Sequence, residues 1–339
     1  MCPKLKVHNN EMKKVEQDKY LGDVIHKNGK QSATIVERIS KGHGIVTNIL
    51  ALIKDIPLGN RRVEIGLDLR QAWFINGILF NSEVWQKLNT KDINDICKLD
   101  YHLLRSILGA HSKVPIEMLY LETASLPIPQ IITTRRLMYH QEILQRPPSE
   151  LVKRVYQAMK DDPTPGDWCE LVTNDFESIN MHINDQLITQ MSKSDYKNLI
   201  NEKIRSTTLE LLQKMQQKHQ KVKHIEYTHV KTPQEYITCN KFSKEESSLL
   251  FNLRCRTVRE IKNNFGDNGN CELCLVCKDS QEHVMECPEL EKHMVWDHTV
   301  QYEYIFGSTE QQKLVTTLYS SLLELRDRLQ AEGRPTGAG

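Results

Sequence analysis

The sequence contains no apolar run near the eighteen or so residues that a membrane-crossing helix requires, so no transmembrane span is predicted. No apolar segment follows Met1-Cys2-Pro3-Lys4, which argues against a secretory leader. Excess charge of either sign is also lacking: 45 Lys and Arg against 44 Asp and Glu leave a net +1. Attraction of the whole molecule to a polyanion is therefore weak, and any such site has to be a local patch. No internal repeat is visible. A charged fraction of 26% beside 39% hydrophobic residues is that of an ordinary soluble chain, and 339 residues suit two or three domains with ample core.

Cysteine is not scarce. There are nine, an odd number, and Cys271, Cys274, Cys277 and Cys287 crowd into one stretch. Without a leader, such crowding predicts metal binding rather than disulfides.

The hydrophobic pattern predicts a mainly α fold. Residues 1–30 read as a short β piece, with Lys6-Val7-His8 and Tyr20 to Ile25 as strands and Asn28-Gly29 as a hairpin turn. Two or three strands do not fold alone, so this piece must lean on something else. Over 31–110 the period becomes helical. Ile35, Ile39, Val46, Ile49, Leu50 and Ile53 share one face before Pro57-Leu58-Gly59, and Leu67, Trp73, Phe74, Ile78 and Trp85 mark a second run. A third run opens at Thr90 as N-cap, points Ile93, Ile96, Cys97, Leu104, Ile107 and Leu108 inward, and stops at Gly109. Together they predict a small helical bundle.

Residues 111–240 read as a helical connector broken at Pro127, Pro129, Pro147-Pro148 and 161–166. A helix is expected from Asn201 to about Glu226, burying Ile204, Thr208, Leu211, Leu212 and Met215. Residues 241–306 hold a basic helix from about Ser243 to Lys262 and then the cysteine cluster. Over 307–332 a last helix opens with Ser308-Thr309-Glu310-Gln311 as a capping box and presents Leu314, Leu318, Leu322, Leu325 and Leu329. Residues 333–339 read as a frayed tail.

The strongest motif runs from Cys271 through Cys274, Cys277 and His283 to Cys287. Zinc takes four tetrahedral sulfur or nitrogen ligands. A Cys-x2-Cys turn offers two from a knuckle, and a helical pair four apart offers two from one face. His283 and Cys287 have the second spacing. Cys271 with Cys274 is the favoured first pair, since it leaves a longer loop before His283; Cys274 with Cys277 competes. Four ligands close the coordination sphere, so the expected metal is structural Zn2+ and not a Lewis acid.

Lys19-Tyr20-Leu21-Gly22-Asp23 resembles the palm–thumb junction of non-LTR (LINE-type) retrotransposon reverse transcriptases. Leu69 to Leu79, continuing to Glu83-Val84-Trp85, is similar to their thumb. Phe251-Asn252-Leu253-Arg254-Cys255-Arg256-Thr257, with Cys271 to Cys274 and Gln281 to Pro288, resembles their zinc-bearing C-terminal region. These fragments span most of residues 1–330 in the family's order. The resemblance implies a palm edge at 1–30, a thumb-like bundle at 31–110, and RNA and DNA as partners, as primer–template duplex or element RNA. It also implies a nuclear location and a primer-grip role for Tyr20, Leu21 and Gly22. The family's catalytic aromatic-x-Asp-Asp turn has no counterpart: the only Asp-Asp, Asp161-Asp162, follows Met159-Lys160 and precedes Pro163. The chain is therefore expected to be a non-catalytic C-terminal part of such a polymerase, begun at an internal methionine, with the absent palm as a further partner.

Two local patches suit phosphate. Residues 197–224 hold seven Lys and Arg against two acidic residues, with Lys214, Lys218 and Lys221 along one expected helix. Residues 241–262 hold six against three, with Arg254, Arg256 and Arg259 close together. Such residues bind by displacing counterions. Aromatic interleaving is thin; Tyr227, Tyr236 and Phe242 lie between the patches. Other enzyme signals are poor: Gly42-His43-Gly44 lacks the spacing of a dinucleotide loop, and Glu260-Ile261-Lys262 reads as a helical surface pair. The alternative is a zinc-stapled helical scaffold for protein partners, motivated by the near-neutral charge and the leucine face of 314–329.

Overall fold

The computed structural model describes residues 6–7, 10–11, 15–20, 23–27, 31–54, 61–182, 184–266 and 269–332. It is mainly helical. Among the described residues its strands form two antiparallel pairs, β1 (Lys6–Val7) with β2 (Asn10–Glu11), and β3 (Gln17–Tyr20) with β4 (Asp23–His26). The expected single strand from Tyr20 to Ile25 is thus two strands, with Tyr20 paired to Asp23. The turn expected at Asn28-Gly29, the break at Pro57-Leu58-Gly59 and the tail 333–339 lie outside the described residues.

The β3–β4 pair leans on α1 (Ser32–Lys54). Val24 exchanges hydrogen bonds with the Thr34 hydroxyl, and Asp23 accepts from Arg38 at 2.7 Å and from Asn81 at 2.6 Å. Helix α1 buries Ile35, Val46, Ile49 and Ile53, with Ile39 and Leu50 at the margin, as its 3.6-residue period requires. A Cβ on Gly42 would stand 2.6 Å from Ile78 and 3.0 Å from Leu99, so this glycine sets a close crossing.

Helix α2 (Arg61–Leu69) widens into a π-turn over Arg70–Ile75 before α3 (Asn76–Ile78). Arg70 of that turn lies inside the protein, where Nε and Nη2 donate to Asp100 at 2.6 and 2.7 Å and Tyr120 donates to the same carboxylate. After a 3-10 turn at Ser82–Val84 comes α4 (Thr90–Leu108). Its N-cap is Asn89 rather than Thr90, because the Asn89 side chain accepts from the Asp92 amide; Gly109 ends it at φ +63°.

Next come α5 (Ile116–Thr123) and α6 (Ile128–Gln145), with Pro129 inside the first turn of α6 rather than breaking the chain. Then follow α7 (Leu151–Asp161), α8 (Trp168–Ser178), α9 (Asp185–Gln190) and α10 (Lys193–Gln216). Helix α10 starts eight residues before the expected Asn201 and ends ten before Glu226. Its last residue, Gln216, donates to the carbonyls of Val222 and Ile225 and turns the chain back. Leu211, expected inside, is exposed.

The remaining elements are α11 (Glu235–Thr238), α12 (Lys244–Arg254), a 3-10 turn at Lys262–Phe265, α13 (Gln281–Val284), α14 (Pro288–Glu291), a 3-10 turn at Tyr302–Phe306 and α15 (Thr309–Glu332). The helix expected to reach Lys262 stops at Arg254, and Arg256 takes a left-handed φ of +53°. Residues 35–132 and 212–322 share one hydrophobic core, while 137–204 build a second around Leu137, Phe176, Tyr196 and Ile200. The expected connector is therefore divided between two cores.

Candidate metal centre

The chain from Asn270 to Lys278 folds back on itself. Asn270 bridges Lys278, the Cys271 amide donates to the Cys277 carbonyl at 2.8 Å, and the Leu275 amide donates to the Cys271 carbonyl at 2.8 Å. Closing so tight a turn forces Leu275 to φ +61°. The opposite wall comes from two short helices. Ser280 caps α13 by accepting from the His283 amide, and Cys287 stands at the N-cap of α14 with Pro288 behind it. His283 and Cys287 were expected on one helical face. His283 lies in α13 while Cys287 is the extended N-cap of α14, a conformation that the following Pro288 favours.

The four ligand atoms of Cys271, Cys274, His283 and Cys287 lie within 4.8 Å of one another. Cys271 Sγ is 3.9 Å from Cys287 Sγ, and Cys274 Sγ is 3.3 Å from His283 Nε2. Bonds of about 2.3 Å to sulfur at tetrahedral angles put two sulfurs about 3.8 Å apart, so the group has the edges of a tetrahedral site. Cys277 is exposed and stands outside it, which decides the first pair in favour of Cys271 with Cys274.

The surroundings suit ligation. Burial pushes the Cys274 thiol up, but the amides of Cys277 and Val276 and the neighbouring thiols more than offset this and hold it below the usual range. Burial lowers His283 against the attraction of Asp279, favouring the neutral imidazole that binds metal. Burial pushes Cys287 up to about 11, with the adjacent Cys271 adding to the rise; a dication would remove that penalty.

The spacing pattern missed the groups behind the ligands. Arg326 of α15 pairs with Asp279 at 2.8 Å, both buried. Gln281 donates to the Leu253 carbonyl and accepts from Asn264, and its own carbonyl accepts from Tyr319. Arg326 lies one helical turn beyond Leu322, so a cation interrupting an apolar stripe was the available signal. The stripe itself is rotated from expectation: Val315, Tyr319, Leu322 and Arg326 are buried, Leu318, Leu325 and Leu329 flank them, and Leu314 is exposed.

The basic residues have different fates. Arg254 is buried: Nε donates to Glu122 at 3.0 Å, Nη1 donates to the Ile305 carbonyl, and the plane lies over Tyr236 and Phe306. It holds the core together and, being buried, does not face phosphate as the sequence reading expected. Tyr227 and Tyr236 donate to the same Glu122, so these rings, like Phe242, are core. Arg256 pairs with Glu282 at 2.5 Å and stays one-third exposed. Arg259, Lys214 and Lys218 are exposed, and Lys221 donates to the Asn264 carbonyl. Asp161 and Asp162 are exposed at the end of α7. Leu21, Gly22 and the Tyr20 side chain lie outside the described residues.

No family model, curated protein or solved structure matches the chain. No helix among the described residues is long and apolar enough to cross a membrane.

Proposed function

We propose that this chain is a non-catalytic nucleic-acid-binding unit, akin to the thumb and zinc-bearing C-terminal part of a non-LTR retrotransposon reverse transcriptase. Cys271, Cys274, His283 and Cys287 hold a structural Zn2+. Primer–template duplex or element RNA is gripped through basic side chains beside it. The observation that carries this reading is the link between the two features: Arg256 pairs with Glu282, the neighbour of ligand His283, so the cysteine–histidine group fixes a basic residue at the surface. Lys214, Lys218, Lys221 and Arg259 supply further phosphate contacts.

The test is fluorescence anisotropy of the zinc-loaded protein with a primer–template duplex and a structured RNA. Binding should be seen at 50 mM salt or so and weaken steeply as salt rises. Failure to bind either probe at low salt defeats the reading. One observation favours the scaffold alternative. Leu275 and Val276 at the tip of the knuckle are 71% and 79% exposed, an apolar pair that a protein partner would cover.

A further inference from the structure

Three stretches far apart in the sequence meet at one half-buried ring. The His111 ring lies 4.8 Å from that of Phe265, with Lys113 Nζ at 5.6 Å and Lys221 Nζ at 6.0 Å from its centroid. Arg259 lines one cleft with His111, and the charge of Arg256 acts on Lys221. We propose that Lys113 and Lys221 at the Phe265 ring, together with Arg259 beside His111 and Arg256, form a binding site for the phosphate groups of a nucleic-acid backbone; the proposal rests on the nucleic-acid reading above and gives it a location.

The charge at this place is compensated only in part. Lys113 and Arg259 are exposed and have no carboxylate partner among the described residues. Lys221 donates to a carbonyl, not an acid. Arg256 has Glu282, and Glu245 and Glu260 line the cleft that His111 lines. Burial and then the neighbouring cations lower both Lys221 and His111, with Glu260 opposing the shift at His111. An anion placed among them would relieve that repulsion. Ammonium groups are point charges that meet phosphate oxygens without the planar match a carboxylate rewards. Several cations spread around one ring suit a chain of phosphates better than a single small acid.

The platform is also fixed in advance. Asn252 accepts from the His111 amide at 3.0 Å and donates to the Gly109 carbonyl at 3.1 Å, and Ser248 donates to the same carbonyl at 2.9 Å. The Lys113 amide donates to His111 Nδ1 at 3.1 Å. A cleft of about 400 Å3 opens beside the cluster, and its charged lining is mixed, Lys244 and Arg259 with Glu245 and Glu260. By contrast, Lys214 is exposed in the last turn of α10, and Lys218 is exposed just beyond that helix.

The experiment compares K113E/R259E with K91E/K98E, an equal charge change at exposed positions of α4, using anisotropy with the primer–template duplex and the structured RNA over a salt series. The neutral pair K113Q/R259Q guards against effects of reversed charge, and melting and zinc content check folding. K113E/R259E should bind at least about ten-fold more weakly, with a salt slope lower by about two, and K91E/K98E should change less than about three-fold. If wild type binds and both pairs behave alike, the site is wrong and the nucleic-acid reading stands. If wild type binds neither probe, that reading fails, and inorganic tripolyphosphate becomes the probe. Thermal stabilisation of wild type but not of K113Q/R259Q would keep a polyphosphate site, and no stabilisation of either would overturn it.

Discussion

At the scale of single residues, Leu275 carries a conformational cost with little return. It holds φ +61° in the knuckle and is 71% exposed, so its side chain packs on little. A left-handed backbone costs an L-residue about 1–2 kcal/mol and glycine almost nothing. Leu275→Gly should therefore stabilise the zinc-loaded protein by about 1 kcal/mol in denaturant unfolding, while Leu275→Val should destabilise it. Equal stability of the two variants would refute the strain. Arg326 is the opposite case. With Asp279 it forms a buried pair, and removing one partner strands a charge at a cost of about 3–5 kcal/mol. Arg326→Met should show that loss, and adding Asp279→Asn should restore much of it in a double-mutant cycle. The ligands were legible because four soft donors within 17 residues carry their meaning locally. Arg254 was not: it sits in a basic run, yet its partner Glu122 is 132 positions away, and no local pattern reveals a pairing over that distance.

At the scale of elements, periodicity and caps told most of what they can tell. The faces of α1 and α4, the stop at Gly109 and the Ser308 cap, whose hydroxyl accepts from Gln311, follow from spacing alone. Ends fixed by distant or unusual contacts did not follow: the retreat of α10 depends on Gln216, and the wide turn at Arg70–Ile75 on a carboxylate in α4. The second core contains a similar surprise. His140 of α6 is buried, with Nε2 at 2.9 Å from the Tyr156 hydroxyl and 3.7 Å from Asp185. Burial lowers it to about 4, against the attraction of Asp185. The unfolded chain binds this proton near pH 6.5 and the folded chain does not. Stability should therefore fall as pH drops from about 6.5 towards 4, by up to about 1.4 kcal/mol per pH unit from this group. Denaturant unfolding at pH 7, 6 and 5 should show a shallower decline for His140→Gln than for wild type. Parallel declines would mean that the imidazole is protonated in the folded protein.

At the scale of the whole molecule, the cysteine–histidine group is not an appendage. Cys271, Val284, Met285, Cys287 and Leu290 belong to the same core as Ile35, Ile96 and Leu250, and Asp279 and Gln281 reach α15 and α12. Metal binding and folding are coupled in structural sites, so loss of the proposed zinc should spread along these contacts. Chelation, or Cys274→Ser with His283→Ala, should raise amide hydrogen exchange over 269–295 and over the Arg326 half of α15. The effect on the α1–α4 helices should be smaller, because those helices also pack on one another. Residues 137–204 have their own core and should keep their protection. Uniform deprotection of the chain would mean that the two cores fold as one unit, and protection unchanged everywhere would mean that the metal holds nothing in place.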